Sequence, residues 1–303
     1  MLHPQARSSL QAGRPDDGEG TEELALWDPR FDPADERRRD REAALSQTEQ
    51  IPVGVVRDMD AGGVGVRLYR PRVGAPVALY VHGGGWVFHD LETHDAFCRY
   101  LASETGWALL SVDYRRAPEN PYPAPLDDVQ AAHGWLRDHA ADLGVDASRA
   151  AGIGDSSGAN LVAALCVRDP QAFAMQVLLY PPVDPACDTE SMRTEEHDFT
   201  AADMAWFWDA YAPTPEGKAN PEVAPLRATD LSAMPPTMVL TAEHDILRDE
   251  GEAFAARLAE AGVATTAVRY LGMLHGFWRH PGEFDASRAA VRQVAGALRD
   301  LAR

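Results

Sequence analysis

Apolar and polar residues alternate along the chain in a regular way from about residue 77 to the C-terminus. Short, nearly continuous apolar runs predict buried strands, and the amphipathic stretches between them predict helices. The predicted strands are residues 77–81, 108–114, 150–155, 176–182, 237–245 and 265–272, and the predicted helices are about 92–104, 124–141, 157–168, 201–211, 250–262 and 286–303. Such alternation is typical of a parallel sheet covered on both faces. The sequence therefore predicts an α/β fold.

The first quarter of the chain follows a different pattern. Residues 1–22 are rich in Gly, Pro, Ser and Asp without periodicity, which predicts a mobile tail. An Asp-Pro start and the helix formers after it predict a helix over 32–47. We interpret its charged run, ERRRDRE, as a solvated face rather than a basic docking patch, since acids interleave the arginines. Two β-rich runs over 51–59 and 63–71 predict an antiparallel hairpin.

Residues 183–225 interrupt the alternation of strands and helices. This stretch is long, acidic and rich in proline, and it carries Trp206 and Trp208. A long insertion in a compact fold is usually a lid or a binding element.

Composition narrows the range of functions. The chain has 303 residues and a formal net charge of −19, which argues against a protein that mainly grips nucleic acid or an anionic membrane. No apolar run reaches the roughly 18 residues of a membrane span, and the N-terminus lacks the apolar run of a signal peptide. Three scattered cysteines give neither a disulfide framework nor a zinc pattern. We therefore expect a cytoplasmic protein without a metal site.

The most informative motif is Gly154-Asp155-Ser156-Ser157-Gly158, which follows a predicted buried strand and opens an apolar helix. A nucleophile elbow requires this strand–turn–helix context, because the tight turn lifts the serine hydroxyl above the carboxyl edge of the sheet. The helix N-terminus beneath offers backbone N–H groups to a developing oxyanion. The sequence therefore predicts that Ser156 is a nucleophile.

A second motif, His82-Gly83-Gly84-Gly85-Trp86, comes directly after the strand over 77–81. Three consecutive glycines let the backbone present N–H groups without obstruction by side chains. Together with the N–H of Ser157, such a loop can form an oxyanion hole. We expect His82 to brace the loop by hydrogen bonds rather than to transfer protons.

A serine nucleophile needs a base, and the base needs an orienting acid, in the chain order Ser, Asp or Glu, His. Asp245 ends a predicted strand, and His275 follows the next strand on a Gly-flanked loop. Both should therefore approach Ser156 at one edge of the sheet. The competing residues are Glu243, His244 and Asp249 for the acid and His280 for the base. Asp249 falls in the first turn of the next helix, where an acid complements the helix dipole.

With these motifs assembled, the chain resembles the hormone-sensitive-lipase-like carboxylesterases of the α/β-hydrolase family from about Val77 to the C-terminus. The segments that carry the resemblance are HGGGW (82–86), YRRAPE (114–119) with Pro123-Ala124 and Asp127-Asp128, GDSSG (154–158), HDILRDEG (244–251) and GMLHGF (272–277). Two positions depart from the family pattern: Ser157, where Ala is usual, and Ile246, where Pro is common.

The resemblance implies an α/β-hydrolase fold over 51–303 and a helical cap built from residues 1–50 and an insertion around 185–225. It implies a Ser156, Asp245 and His275 triad that hydrolyses small, short-acyl esters through an acyl-serine without a cofactor. The implied oxyanion hole is Gly84, Gly85 and Ser157, supported by His82, Gly83 and Asp155. The implied pocket residues are Trp86, Phe199, Trp206 and Phe207. A homodimer is common among similar proteins.

Other functions on the same fold stay open at this point. A specialised deacetylase, amidase, acyltransferase or carboxylesterase-like dehydratase could use the same residues. A small-molecule receptor is a further alternative, although such receptors typically lack a triad member. Acidic residues are dense in the expected cap, namely Asp188, Glu190, Glu195, Glu196 and Asp198. This density predicts weaker activity on anionic esters than on neutral ones.

Overall fold

The computed structural model describes residues 1–12, 24–47, 50–197 and 199–302. Eight strands in these ranges form one sheet: β1 (Val55–Asp60), β2 (Gly65–Arg70), β3 (Ala75–Val81), β4 (Ala108–Asp113), β5 (Val145–Asp155), β6 (Met175–Leu179), β7 (Thr237–His244) and β8 (Thr265–Leu274). Their spatial order is β1-β2-β4-β3-β5-β6-β7-β8. Strand β2 pairs antiparallel with β1 and β4, and every other pairing is parallel. The predicted hairpin and α/β fold are confirmed.

Helices cover both faces of the sheet, as the alternation predicted. They are α1 (Pro4–Ala12), α2 (Pro33–Leu45), α3 (Asp95–Thr105), α4 (Ala124–Leu143), α5 (Ser157–Arg168), α6 (Glu190–Thr194), α7 (Ala201–Tyr211), α8 (Pro215–Ala219), α9 (Arg248–Glu260) and α10 (Asp285–Leu301). Leu101 of α3 and Leu298 of α10 belong to the core on one face. Leu126 of α4, Leu161 of α5 and Phe254 of α9 belong to the core on the other. No described helix is both long and apolar enough to cross a membrane.

Strand β5 is longer than its apolar run. It begins at Val145 rather than at residue 150, because Val145 and Asp146 pair with Ala75 and Pro76 of β3 before a break in register. The added residues are mostly polar and exposed, so the apolar pattern showed only the buried half of the strand.

The prediction of a mobile tail is wrong for residues 4–12, which form α1. The backbone N–H of His3 donates to the carbonyl of Gly272 in β8 at 3.0 Å, and Ala6 is fully buried. This contact buries few large side chains, so hydrophobic periodicity gave little sign of it. Residues 13–22 of the predicted tail lie outside the described residues.

The charged run on α2 has two sides. Arg38 and Arg39 pair with Asp35 and Glu36 of their own helix and are exposed, as expected of a solvated face. Arg37 instead turns toward the body of the protein, and its side chain is only 20% exposed to solvent. The interpretation of the whole run as a solvated face is therefore wrong for Arg37.

The fold brings the motifs to one edge of the sheet. Strands β3, β5, β7 and β8 run parallel, so their carboxyl ends lie side by side. The residues that follow these strands are His82, Ser156, Asp245 and His275. The stretch between β6 and β7, which we call the β6–β7 segment (residues 180–236), carries α6, α7 and α8 beside this edge.

Candidate active site

Ser156 occupies a strained turn between β5 and α5. Its φ of 52° and ψ of −125° lie in a backbone region that residues other than glycine rarely adopt. Holding a serine there costs roughly 1–3 kcal/mol. The flanking glycines make the turn sterically possible. A Cβ on Gly158 would lie 2.0 Å from the carbonyl oxygen of Val81, and one on Gly154 would lie 2.5 Å from the backbone of Gly158. The tight packing of α5 against β3 and β5 thus holds the hydroxyl at the sheet edge.

Ser156, His275 and Asp245 form a continuous hydrogen-bonded chain. The Nε2 atom of His275 lies 3.1 Å from the Oγ of Ser156, and its Nδ1 lies 2.8 Å from the Oδ2 of Asp245. Asp245 is 1% exposed, and its other oxygen accepts from the backbone N–H of Leu247 at 2.9 Å. An imidazole held in this way can take the hydroxyl proton while the buried carboxylate stabilises the resulting positive charge.

The competing residues are engaged elsewhere. Glu243 accepts from the backbone N–H of Gly272 at 2.6 Å, and His244 contacts Glu195 at 2.8 Å. Asp249 lies in the first turn of α9, as the sequence indicated, and accepts from the N–H of Ser191 at 2.7 Å. His280 lines the cavity beside Ser156, but it follows the short helical turn Phe277–Arg279 rather than a strand.

The glycine loop after β3 lies against Ser156 and the β6–β7 segment. Gly84 and Gly85 have φ values of 116° and 59°, which glycine adopts without strain. A Cβ on Gly85 would lie 2.2 Å from the ring of Phe207, so the aromatic wall approaches the loop only because residue 85 has no side chain. Ser157 is the first residue of α5, and the leading N–H groups of a helix have no acceptor within it. The loop and the helix start can therefore both present N–H groups.

His82 lies entirely within the protein, next to the loop that it was expected to brace. Its Nδ1 lies 2.8 Å from the carbonyl oxygen of Gly83, and its ring stacks on Tyr114 with centroids 4.4 Å apart. The Tyr114 hydroxyl donates to the carbonyl of His82 at 2.9 Å. Burial lowers the pKa of His82 to about 3. A ring that stays neutral at ordinary pH suits a bracing role.

Asp155 holds the two motifs together. Its Oδ1 accepts from the backbone N–H of Gly83 at 3.2 Å and from the Tyr80 hydroxyl at 2.7 Å. Burial alone would raise the pKa of Asp155, but His94 and Arg279 beside its other oxygen, with the Tyr80 hydrogen bond, hold that pKa well below its usual range. The result is a buried carboxylate that links β5 to the glycine loop.

Sequence reasoning missed three partners of this carboxylate: Tyr80, His94 and Arg279. His94 Nε2 and Arg279 Nε lie 3.7 Å and 3.6 Å from Asp155 Oδ2. Tyr80 stands within an apolar strand run, and the other two follow no motif. Only the topology brings them together, so no local signal could have found them.

A cavity of about 470 Å³ opens beside Ser156 and His275. Trp86, Phe199 and Phe207 line it, as expected, whereas Trp206 does not. Trp206 instead packs edge-on against Phe31, which precedes α2, and stacks on Phe88. Additional lining residues that the motifs did not suggest are Phe88, His89, Tyr180, Met204, Arg279 and His280.

An aromatic stack joins the glycine loop to α7. Trp86 lies flat on Tyr211, with ring centroids 4.4 Å apart and planes within 2° of parallel. Trp208 packs against the same indole at 4.5 Å, and all three rings are fully buried. The β6–β7 segment is therefore held to the loop by a shared core.

The chain is similar to known proteins over most of its length. Residues 78–279 match the model of a protein family described by the alpha/beta hydrolase fold. The chain is 40% identical over 254 residues to the carboxylic ester hydrolase LipN of Mycobacterium tuberculosis, across 79% of this chain and 67% of that protein. It is 35% identical over 245 residues to the ethyl acetate hydrolase of Pseudomonas putida, across 77% of each chain.

Solved structures extend the similarity to the whole fold. The esterase of Pyrobaculum calidifontis superposes with a TM-score of 0.88 at 37% identity, covering 100% of this chain and 99% of that one.

Proposed function

The chain belongs to the hormone-sensitive-lipase-like carboxylesterase branch of the α/β hydrolase family, and from this premise we propose that Ser156, Asp245 and His275 are its catalytic triad. The enzyme is an ester hydrolase, in line with its relatives. The observation that carries the residue assignment is the contact of His275 with Ser156 on one ring nitrogen and with Asp245 on the other.

The proposed reaction begins when the Oγ of Ser156 attacks the ester carbonyl carbon and His275 takes its proton. The N–H groups of Gly84, Gly85 and Ser157 stabilise the oxyanion, and each such donor typically contributes about 3–4 kcal/mol. His275 returns the proton to the leaving alcohol, which leaves an acyl-serine. Water then attacks that ester with the same base, and the carboxylic acid departs.

The size of the cavity supports the proposal that the substrates are small esters with short acyl chains. Its volume of about 470 Å³ lies at the low end of ligand sites, and the rings of Phe199 and Phe207 occupy one wall. The Phe199 ring centroid lies 4.7 Å from that of His275, which leaves little room for a long chain beside the base. We propose that α2 and the β6–β7 segment together act as the cap of a catalytic domain over 51–303.

Hydrolysis of p-nitrophenyl acetate and butyrate tests the assignment. Ser156→Ala should lower kcat by several orders of magnitude, because losing the nucleophile removes the covalent route. Ser148→Ala, which alters an exposed serine on β5, is the matched control and should hydrolyse both esters at the rate of the unmodified enzyme. Full activity in Ser156→Ala would overturn the mechanism. A panel of esters with increasing acyl length should show a fall beyond short chains.

Two further expectations belong to this proposal. We propose a cytoplasmic location, supported by the three free thiols Cys98, Cys166 and Cys187, since reducing compartments keep cysteines unpaired. The homodimer implied by the resemblance stays a prediction, which light scattering on the purified chain would test.

A further inference from the structure

Outside the triad, a group of side chains in the described part of the chain has the composition of a transition-metal site. The ligand atoms of Glu195, His197 and His244 all lie within 4.8 Å of one another. We propose that these three residues, which we call the Glu195 cluster, bind a divalent transition-metal ion of the Zn²⁺ type. Imidazole nitrogen and carboxylate oxygen are the ligands that such ions prefer.

Two of the three distances between ligand atoms are close to those of tetrahedral coordination, and the third, between the two histidines, is at most 4.8 Å. Glu195 Oε2 lies 3.5 Å from His197 Nε2 and 2.8 Å from His244 Nδ1. Ligand atoms bound at about 2.0–2.1 Å to one tetrahedral zinc ion are separated by about 3.3–3.5 Å. The first pair already has this spacing. The second pair, which is hydrogen-bonded, needs to open by roughly half an ångström as the ion replaces the shared proton, and water would complete the coordination.

The surroundings of His244 favour this exchange. Its Nε2 is buried without a hydrogen-bond partner in the described part of the chain, and it lies 3.7 Å from Glu243 Oε2. When Nδ1 binds the ion, the ring proton resides on Nε2 and points to Glu243. Metal-bound histidines usually donate their second N–H to a carboxylate, which fixes the ring and strengthens the bond.

The local charges allow a dication. Glu195 and Glu243 bring two negative charges to the cluster, and the positive charge of Arg248 beside them is offset by Asp249, which it contacts at 2.8 Å. Arg248 contacts Glu195 through the other carboxylate oxygen, Oε1, at 3.1 Å. That contact leaves Oε2 available to the ion.

The ion would join two parts of the molecule. Glu195 and His197 follow α6 in the β6–β7 segment, whereas His244 ends β7 directly before Asp245. Phe199, two residues beyond His197, contacts the ring of His275. Bound metal would therefore tie the wall of the substrate cavity to the strand that carries the proposed catalytic acid. We expect metal to stabilise the fold and to slow turnover by restricting that wall.

Titration of the metal-stripped enzyme with ZnCl₂, followed by calorimetry, tests the site without reference to catalysis. The unmodified enzyme should bind one ion tightly, and His197→Ala should weaken that binding at least about tenfold. His197 is exposed, so its loss should leave the fold intact. His139→Ala removes a partly exposed histidine of α4 that contacts Trp135 on its own helix, and this variant should bind zinc as the unmodified enzyme does.

Two further readouts separate a built site from scattered surface binding. Zinc should raise the thermal midpoint of the unmodified enzyme by a few degrees and leave that of His197→Ala almost unchanged. Co²⁺ should give the visible absorption bands of tetrahedral coordination in the unmodified enzyme and lose them in His197→Ala. Equal zinc affinity in the unmodified enzyme and His197→Ala, or no binding by either, would overturn the proposal.

Discussion

Glu250 shows how one buried side chain gives the stability of the enzyme a pH dependence. Its carboxyl group is 1% exposed, and Oε1 accepts from the backbone N–H of Val183 at 2.7 Å. Burial raises the pKa of Glu250 to about 8, an effect that this hydrogen bond offsets only in part. The folded enzyme therefore keeps a proton that the unfolded chain loses above about pH 4.5. Because the folded state binds more protons between these values, rising pH lowers the free energy of unfolding.

We predict that Glu250→Gln removes this loss, since the amide oxygen can accept the same bond and cannot ionise. Between about pH 5 and about pH 8, the variant should gain on the order of 2–4 kcal/mol of stability relative to the unmodified enzyme. Urea unfolding at several pH values measures the difference. Glu260→Gln, an exposed position on the same helix, should follow the unmodified profile. Parallel profiles for Glu250→Gln and the unmodified enzyme would contradict the assignment.

Among individual site residues, the sequence predicted those that stand in motifs. It missed those that only the folded chain brings to the site. Ser156, Asp245 and His275 each stand at a strand end, and the structure brings them into contact. Arg279 enters the cavity from a short helical turn that no pattern marks. Trp206 was expected in the pocket, but its place on α7 directs it to Phe31 instead. Helix periodicity shows that a face is buried and does not show what lies against it.

At the scale of elements, helix α2 contacts the residues that follow the glycine loop, and Arg37 makes the largest number of these hydrogen bonds. Arg37 donates to the carbonyl oxygens of Val87 at 2.6 Å and Ala117 at 2.7 Å. It also pairs with both carboxylate oxygens of Glu119, at 2.7 and 2.9 Å. We call this set of Arg37 contacts the clamp. Val87 lies three residues after Gly84, so the clamp holds the loop that presents the proposed oxyanion donors.

We predict that Arg37→Ala lowers kcat/KM by at least about tenfold, because small displacements of catalytic groups have large effects on rate. The global fold should persist, since the clamp lies outside both main cores. Arg38→Ala, on the exposed side of the same helix, is the matched control and should retain the unmodified rate. Steady-state kinetics measures the change in kcat/KM, and circular dichroism shows whether the fold persists. An unchanged rate in Arg37→Ala would show that Arg37 does not position the loop.

Elements with strong periodicity were predicted within a few residues, and α7 was predicted at its observed bounds. Helix α1 was missed because its contact with β8 depends on backbone hydrogen bonding and small side chains rather than on an apolar face. The polar start of β5 was missed for a related reason, since pairing with β3 rather than burial defines it. Pattern reasoning detects burial, and these segments are ordered by other means.

At the scale of the whole molecule, the net charge of −19 and the charged residues that line the cavity affect an anionic ester differently. Of the acidic residues expected to repel anions, Asp188, Glu190, Glu195 and Glu196 do not line the cavity, and Asp198 lies outside the described residues. Arg279 does line it, with the Asp155 carboxylate 3.6 Å from its Nε. The overall field therefore slows the approach of an anionic ester, and inside the cavity the attraction of the Arg279 guanidinium is opposed by the Asp155 carboxylate beside it.

We predict that salt raises kcat/KM for an anionic ester more than for a matched neutral one. Between about 10 mM and about 1 M NaCl, the Debye length falls from roughly 30 Å to roughly 3 Å, which screens the distant acids. Arg279→Gln should raise KM for the anionic ester more than for the neutral ester. The same salt dependence for both esters would refute the role of net charge. The rates of the two esters at low salt also test the expectation that activity on the anionic ester is weaker than on the neutral one.

The cluster of Trp86, Tyr211 and Trp208 also bears on how the enzyme can change over evolution. A pocket is easily remodelled when its wall is an independent module that can be exchanged. Here the wall and the glycine loop share three packed rings, so a new β6–β7 segment must bring partners that fit an indole at position 86. New substrate preferences should therefore arise through single substitutions at cavity-facing positions such as Phe199 and Phe207, with the stack inherited intact.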